Sequence, residues 1–126
     1  MQNHLSRYRL YYQILFYAVV ALGIYLGIRP EPPPTPIRFS SVDTLYHAGG
    51  LFICTILSHL AYPQWRWWWR ATLMIAVGIA IEIAQIFSTR TADIYEIYAN
   101  TAGVILALLV LWIGRRQLQT NRPGTD

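Results

Sequence analysis

The chain has no lysine, a single cysteine and few charges of either sign. Charged residues make up 13% of its 126 positions, about half of the roughly 25% usual in soluble domains. A soluble chain of this length can enclose one core, but it needs more polar surface than this to cover it. The lone cysteine, Cys54, excludes an intrachain disulfide and leaves the redox compartment open. It stands inside the apolar run LFICTIL, where a thiol serves as a small apolar residue. All ten basic residues are arginines, and they flank apolar runs instead of forming a stripe, so nucleic-acid binding is not expected. His4, His47 and His59 have no ligand partners at local zinc-site spacing, so neither a metal nor a cofactor is expected.

Apolar sequence is what the chain has in quantity, at 55% of residues. After a polar start at 1–9, residues 10–28 form a run long enough, at about 1.5 Å per residue, to cross a bilayer. The run ends in IRPEPPP and offers no small-residue cleavage site, so it is expected to stay as a membrane helix and not to leave as a signal peptide. Gly23 and Gly27 form a GxxxG pair, which permits close helix contact and is also ordinary glycine usage in membrane helices. The Pro-rich segment PEPPPTP lies within an expected outer loop at 29–42 and favours an extended connector.

A second helix is expected to begin near residues 40–43, where serine and aspartate suit a helix start, and to close at Pro63. Asp43, His47, Gly50, Cys54 and Ser58 share one face, which would turn inward and leave the leucines and isoleucines to lipid. The turn QWRWWWR, with Trp65–Trp69, carries the residue types that a membrane–water interface selects. A third helix at 68–87 and a short loop at 88–92 lead into a fourth. Asp93 and Glu96 have capping-box spacing at its start, and Arg115 and Arg116 are expected to stop it after residue 113, leaving a polar tail at 114–126.

These features predict an all-α polytopic membrane protein, a four-transmembrane-helix bundle. Seven arginines (Arg7, Arg9, Arg66, Arg70, Arg115, Arg116, Arg122) then fall on the side of the termini and three (Arg29, Arg38, Arg90) on the other, which favours cytoplasmic termini. Ionisable residues within membrane helices are rare and face a partner or a polar cavity. Asp43, His47, Glu82, Gln85, Arg90, Glu96 and Asn100 would meet in one outward-opening pocket.

The order and spacing of these residues resemble the VanZ-like family of small bacterial membrane proteins. The likeness rests on Asp43 with His47, Glu82 with Gln85, Arg90, Glu96, and Asn100 with Gly103, and spans residues 43–113. The chain departs from the family pattern at Thr44 (often lysine), Glu96 (usually aspartate), Leu51 (often aromatic) and Ala107 (often glycine). The resemblance implies a cell-envelope role, with a family name that comes from low-level glycopeptide resistance. It implies no reaction.

Two functions follow as expectations. In the first, the pocket binds, and in a catalytic version modifies, an anionic envelope molecule such as a lipid headgroup or cell-wall precursor. Glu82 would serve as proton donor or acceptor, and an Asp43–His47 dyad would assist it. Arg90 would grip the anion through its forked donors, with Gln85, Glu96 and Asn100 as further ligand contacts. Ser88 and Thr89 lie near the cluster without the setting of a nucleophile. In the second, the chain is a non-catalytic accessory subunit that docks on a larger membrane complex through its first helix and the Trp65–Trp69 turn, and the polar residues are structural. A Glu82–Arg90 pair would then tie the loop to the bundle, His47 would be a packing histidine, and Asn100 an interhelical amide.

Overall fold

The computed structural model describes residues 2–28, 40–87, 94–121 and 124, with side chains from residue 7 in the first segment and from residue 45 in the second. Those residues form four helices: α1 (Gln2–Ile28), α2 (Ser40–Ala61), α3 (Trp67–Ile86) and α4 (Ile94–Thr120). No strand occurs among them. The Pro-rich segment at 30–36 and the 88–93 connection lie outside the described residues.

α1, α3 and α4 are each long and apolar enough to cross a membrane, and the described part of α2, Leu45–Ala61, is a shorter apolar helix. A helix is the form such a segment takes in hydrocarbon, because it satisfies its own N–H and C=O groups. The surface agrees with a lipid setting. Tyr11, Ile14, Leu22, Ile83, Ile105 and Leu109 are all about half exposed or more and belong to large outward apolar faces. In water such faces would associate; three helices of this length and apolarity mark a membrane protein.

α2 begins at Ser40, within the stretch expected for its start. One boundary differs from the sequence expectation. α4 runs past Arg115 and Arg116 to Thr120. Arginine is a good helix former, so a charge marks where a helix leaves the apolar layer and not where it ends. Arg116 also lies over the Trp112 ring, 4.4 Å from its centroid, one turn back on the same face. Pro63 does end α2 as expected: the last helix-type bond, Tyr62 N–H to Ser58 O at 2.9 Å, lies just before it.

α2 sits at the centre, packed on α1 and α4 and more lightly on α3. Its inward face includes Cys54 and Ser58 as expected, and also Leu51, Leu57 and Thr55, so not all its leucines go to lipid. Thr55 and Ser58 donate to the Leu51 and Thr55 carbonyls of their own helix at 2.7 and 2.6 Å. The hydroxyls are thus satisfied locally and leave a smooth packing surface. Phe16 of α1, Met74 of α3 and Val104 of α4 complete the core.

α2 and α4 approach closely at Gly103. A Cβ there would collide with the carbonyl of Ala48. The obstacle is rigid backbone, so it cannot be relieved by a rotamer change. Gly103→Leu is therefore expected to separate α2 from α4 and lower the unfolding midpoint in mild detergent by many degrees, whereas Gly114→Leu, with nothing within 4 Å of its Cβ position, changes it little. Thermal unfolding of the two variants side by side checks this.

Candidate functional site

The polar residues of the bundle collect at its two ends. At the end carrying the chain termini, they cap α2. A helix C-terminus leaves carbonyls without intrahelical partners and carries negative partial charge. Here Arg9 Nε and Gln13 Nε2 of α1 donate to Ala61 O at 3.3 and 3.4 Å, and the buried Arg70 of α3 donates to Tyr62 O at 2.9 Å. Arg9 also reaches Gln64 Oε1 at 3.0 Å, and the Tyr17 and Tyr62 hydroxyls share a hydrogen bond of 2.7 Å. Tyr62 stacks on Trp65, while Trp67, Trp68 and Trp69 point outward. This end ties α1 to α2, a role that sequence reading gave to none of these residues.

The other end holds the candidate site, and three helices supply it. Glu82 is four residues from the end of α3, about 6 Å along the axis. Glu96 lies in the first turn of α4. His47 comes from the N-terminal half of α2. One ligating atom from each of His47, Glu82 and Glu96 lies within 4.8 Å of the other two. His47 Nε2 stands 3.7 Å from Glu96 Oε2, and both side chains are about seven-eighths buried, with Glu82 deeper still at 3% exposure. Glu96 thus faces His47 across the bundle, in addition to its place in the first turn. This partnership was not visible in the sequence, because the two residues are 49 positions apart.

Gln85 and Asn100 lie beside the cluster with different tasks. Gln85 Nε2 donates to Gly27 O at 2.6 Å, fastening the end of α1 to α3. Gly27 lets the helices meet, since a Cβ there would stand 2.7 Å from Ile81 Cγ2, whereas Gly23 has nothing within 4 Å. The GxxxG pair therefore does not act as one face, and Gln85 positions a helix with the donor that was expected to meet a ligand. Asn100 is 3% exposed and packs against Gly78, its Nδ2 3.2 Å from where a Cβ on that glycine would be. Among the described residues neither amide atom of Asn100 has a hydrogen-bond partner, and the same holds for Gln85 Oε1. Asn100 sits between α4 and α3, the place expected of an interhelical amide.

Asp43 lies in α2 one turn before His47, and its side chain lies outside the described residues. So do Ser88, Thr89, Arg90 and Asp93. The proposed Asp43–His47 and Glu82–Arg90 pairs therefore have no described geometry.

A separate apolar groove of about 470 Å³ lies toward the termini end, lined by Trp67, Leu108, Leu109, Trp112 and Arg115 among others. It shares no residue with the polar cluster. Comparisons with protein-family models, with curated proteins and with solved structures found no match to the chain.

If Gln85 holds α1 in place, Gln85→Leu is expected to lower stability by about 1 kcal/mol, the scale of an interhelical hydrogen bond in a membrane protein. It should also speed cleavage by protease near residue 28. Equal stability and an unchanged cleavage rate would show that the bond to Gly27 O carries no weight.

Proposed function

We propose that the chain crosses a bacterial plasma membrane four times with both termini in the cytoplasm, and that the His47–Glu82–Glu96 end opens outward to bind an anionic envelope molecule. The ligand chemistry is a phosphate or carboxylate group, as on a lipid headgroup or a cell-wall precursor. The observation that carries this reading is the meeting of three ionisable side chains from three apolar helices within 4.8 Å. Burying such groups in a membrane is costly, and an ionisable residue within a membrane helix is by default a candidate functional site.

The distribution of arginines supports the orientation, seven on the side of the termini against three on the other. Arg90 follows Ile86, the last residue of α3, by four positions in the chain and would supply the forked donor that an anion needs. Asn100 offers a buried amide with both ends available. The ordered set from Asp43 to Gly103 resembles the VanZ-like family, which supports an envelope role. The alternative reading as an accessory subunit is weakened because Gly27, half of its docking pair, is already used inside the chain.

Two substitutions test the reading. Glu82→Gln keeps shape and hydrogen-bonding size but removes the charge. Arg90→Gln removes the forked donor. Each is expected to leave membrane assembly intact. Arg90→Gln is expected to reduce the anionic molecule retained on extraction in native lipid by about tenfold or more, the value of one charge-assisted hydrogen bond, whereas Glu82→Gln, which removes a like charge, retains it at least as well. Mass measurement of the intact complex reads the result. Retention at the wild-type level in Arg90→Gln would exclude the site, and labelling of Arg90→Cys only from the cell interior would reverse the orientation.

A further inference from the structure

We propose that His47, Glu82 and Glu96 form a binding site for a divalent first-row transition metal, with zinc or manganese the best chemical fit. The geometry leads. His47 Nε2 and Glu96 Oε2 are 3.7 Å apart, too far for a hydrogen bond. Two ligands on one ion with bonds of about 2.1 Å stand roughly 3–3.5 Å from one another. The third ligand lies within 4.8 Å of both, so small side-chain rotations complete the set. One imidazole and two carboxylates suit zinc, manganese and iron(II) better than calcium, which takes six to eight oxygens, or copper(I), which favours sulfur.

Asn100 provides a second, independent observation. It is 97% buried with both amide atoms unpartnered, one turn from Glu96 on α4 and against Gly78, itself one turn from Glu82 on α3. A metal held by only three protein ligands keeps a water or substrate in its fourth position, and a metal-bound water would supply the hydrogen bond that this amide lacks. Three protein ligands leave room for such a water or for an anionic oxygen. Metal binding itself rests only on the convergence of the three helices. Its extension to an anion held by the metal rests on the envelope-ligand reading above.

The test uses the full chain in lipid nanodiscs, with any affinity tag removed, stripped by chelator and then equilibrated with Zn²⁺ or Co²⁺. Metal content by mass spectrometry is expected to reach about one ion per chain, and Co²⁺ to show the visible bands of a protein-ligated ion. His47→Ala, Glu82→Gln and Glu96→Gln are each expected to weaken binding by at least tenfold, while His59→Ala binds as the wild type does. Circular dichroism and elution volume show that the variants are folded, and the Co²⁺ bands of the wild type stand independently of them. Wild-type protein well below one ion per chain, or triad variants that bind as tightly as wild type, would overturn the site. One ion per chain without retained anionic lipid supports the metal site and contradicts the anion reading alone. Anionic lipid held equally with and without metal overturns the bridging role.

Discussion

A polar side chain inside an apolar helix bundle has to find another polar group, and this constraint decides where the helices of the chain meet. Water supplies no partner in hydrocarbon. At the termini end the requirement is met by capping, as Arg9, Gln13 and Arg70 take the last carbonyls of α2 and its neighbour Tyr62. At the opposite end it is met by convergence, as α2, α3 and α4 each contribute one ionisable group to a single cluster. Between the ends the interior holds small or apolar side chains with their hydroxyls turned onto their own backbone. The middle therefore packs tightly while the ends carry the chemistry.

The first helix is fastened at both ends by the same logic. Arg9 and Gln13 hold it to α2, and Gly27 with Gln85 holds it to α3. Phe16 fills the space between. Backbone carbonyls accept these bonds, while side-chain oxygens accept those of Arg9 with Gln64 and of Tyr17 with Tyr62, so the docking does not depend on acidic partners, which are few in this sequence. Gly103 against Ala48 and Gly78 against Leu51 and Asn100 set the spacing of the other three helices.

Much of this was legible from residue types. Helix number, the inward turn of Cys54 and Ser58, and the collection of His47, Glu82, Gln85, Glu96 and Asn100 toward one end follow from hydropathy and a period of 3.6. What a linear reading cannot supply is the pairing of residues on different helices. His47 and Glu96 meet because Gly103 admits α4 against α2 at Ala48, a backbone contact with no local signature. A search for metal ligands at short sequence spacing passes over a set drawn from three helices for the same reason. Gln85 looked like a ligand contact because it sits among ionisable residues, yet its donor is taken by the end of α1. The extension of α4 beyond Arg116 was hidden because charge was read as a stop, although arginine extends a helix as well as most residues do.

The account stands or falls on whether α2, α3 and α4 bring position 47 to positions 82 and 96 in the membrane. Paired substitutions His47→Cys with Glu96→Cys, and His47→Cys with Glu82→Cys, in a Cys54→Ala background, can be treated with a short bifunctional thiol reagent before extraction. Rapid intramolecular crosslinking of both pairs, with none between lipid-facing control positions such as Ile53 and Ile83, is the expected result. Failure of both pairs to crosslink while each cysteine still reacts singly would place the three helices apart and contradict the site.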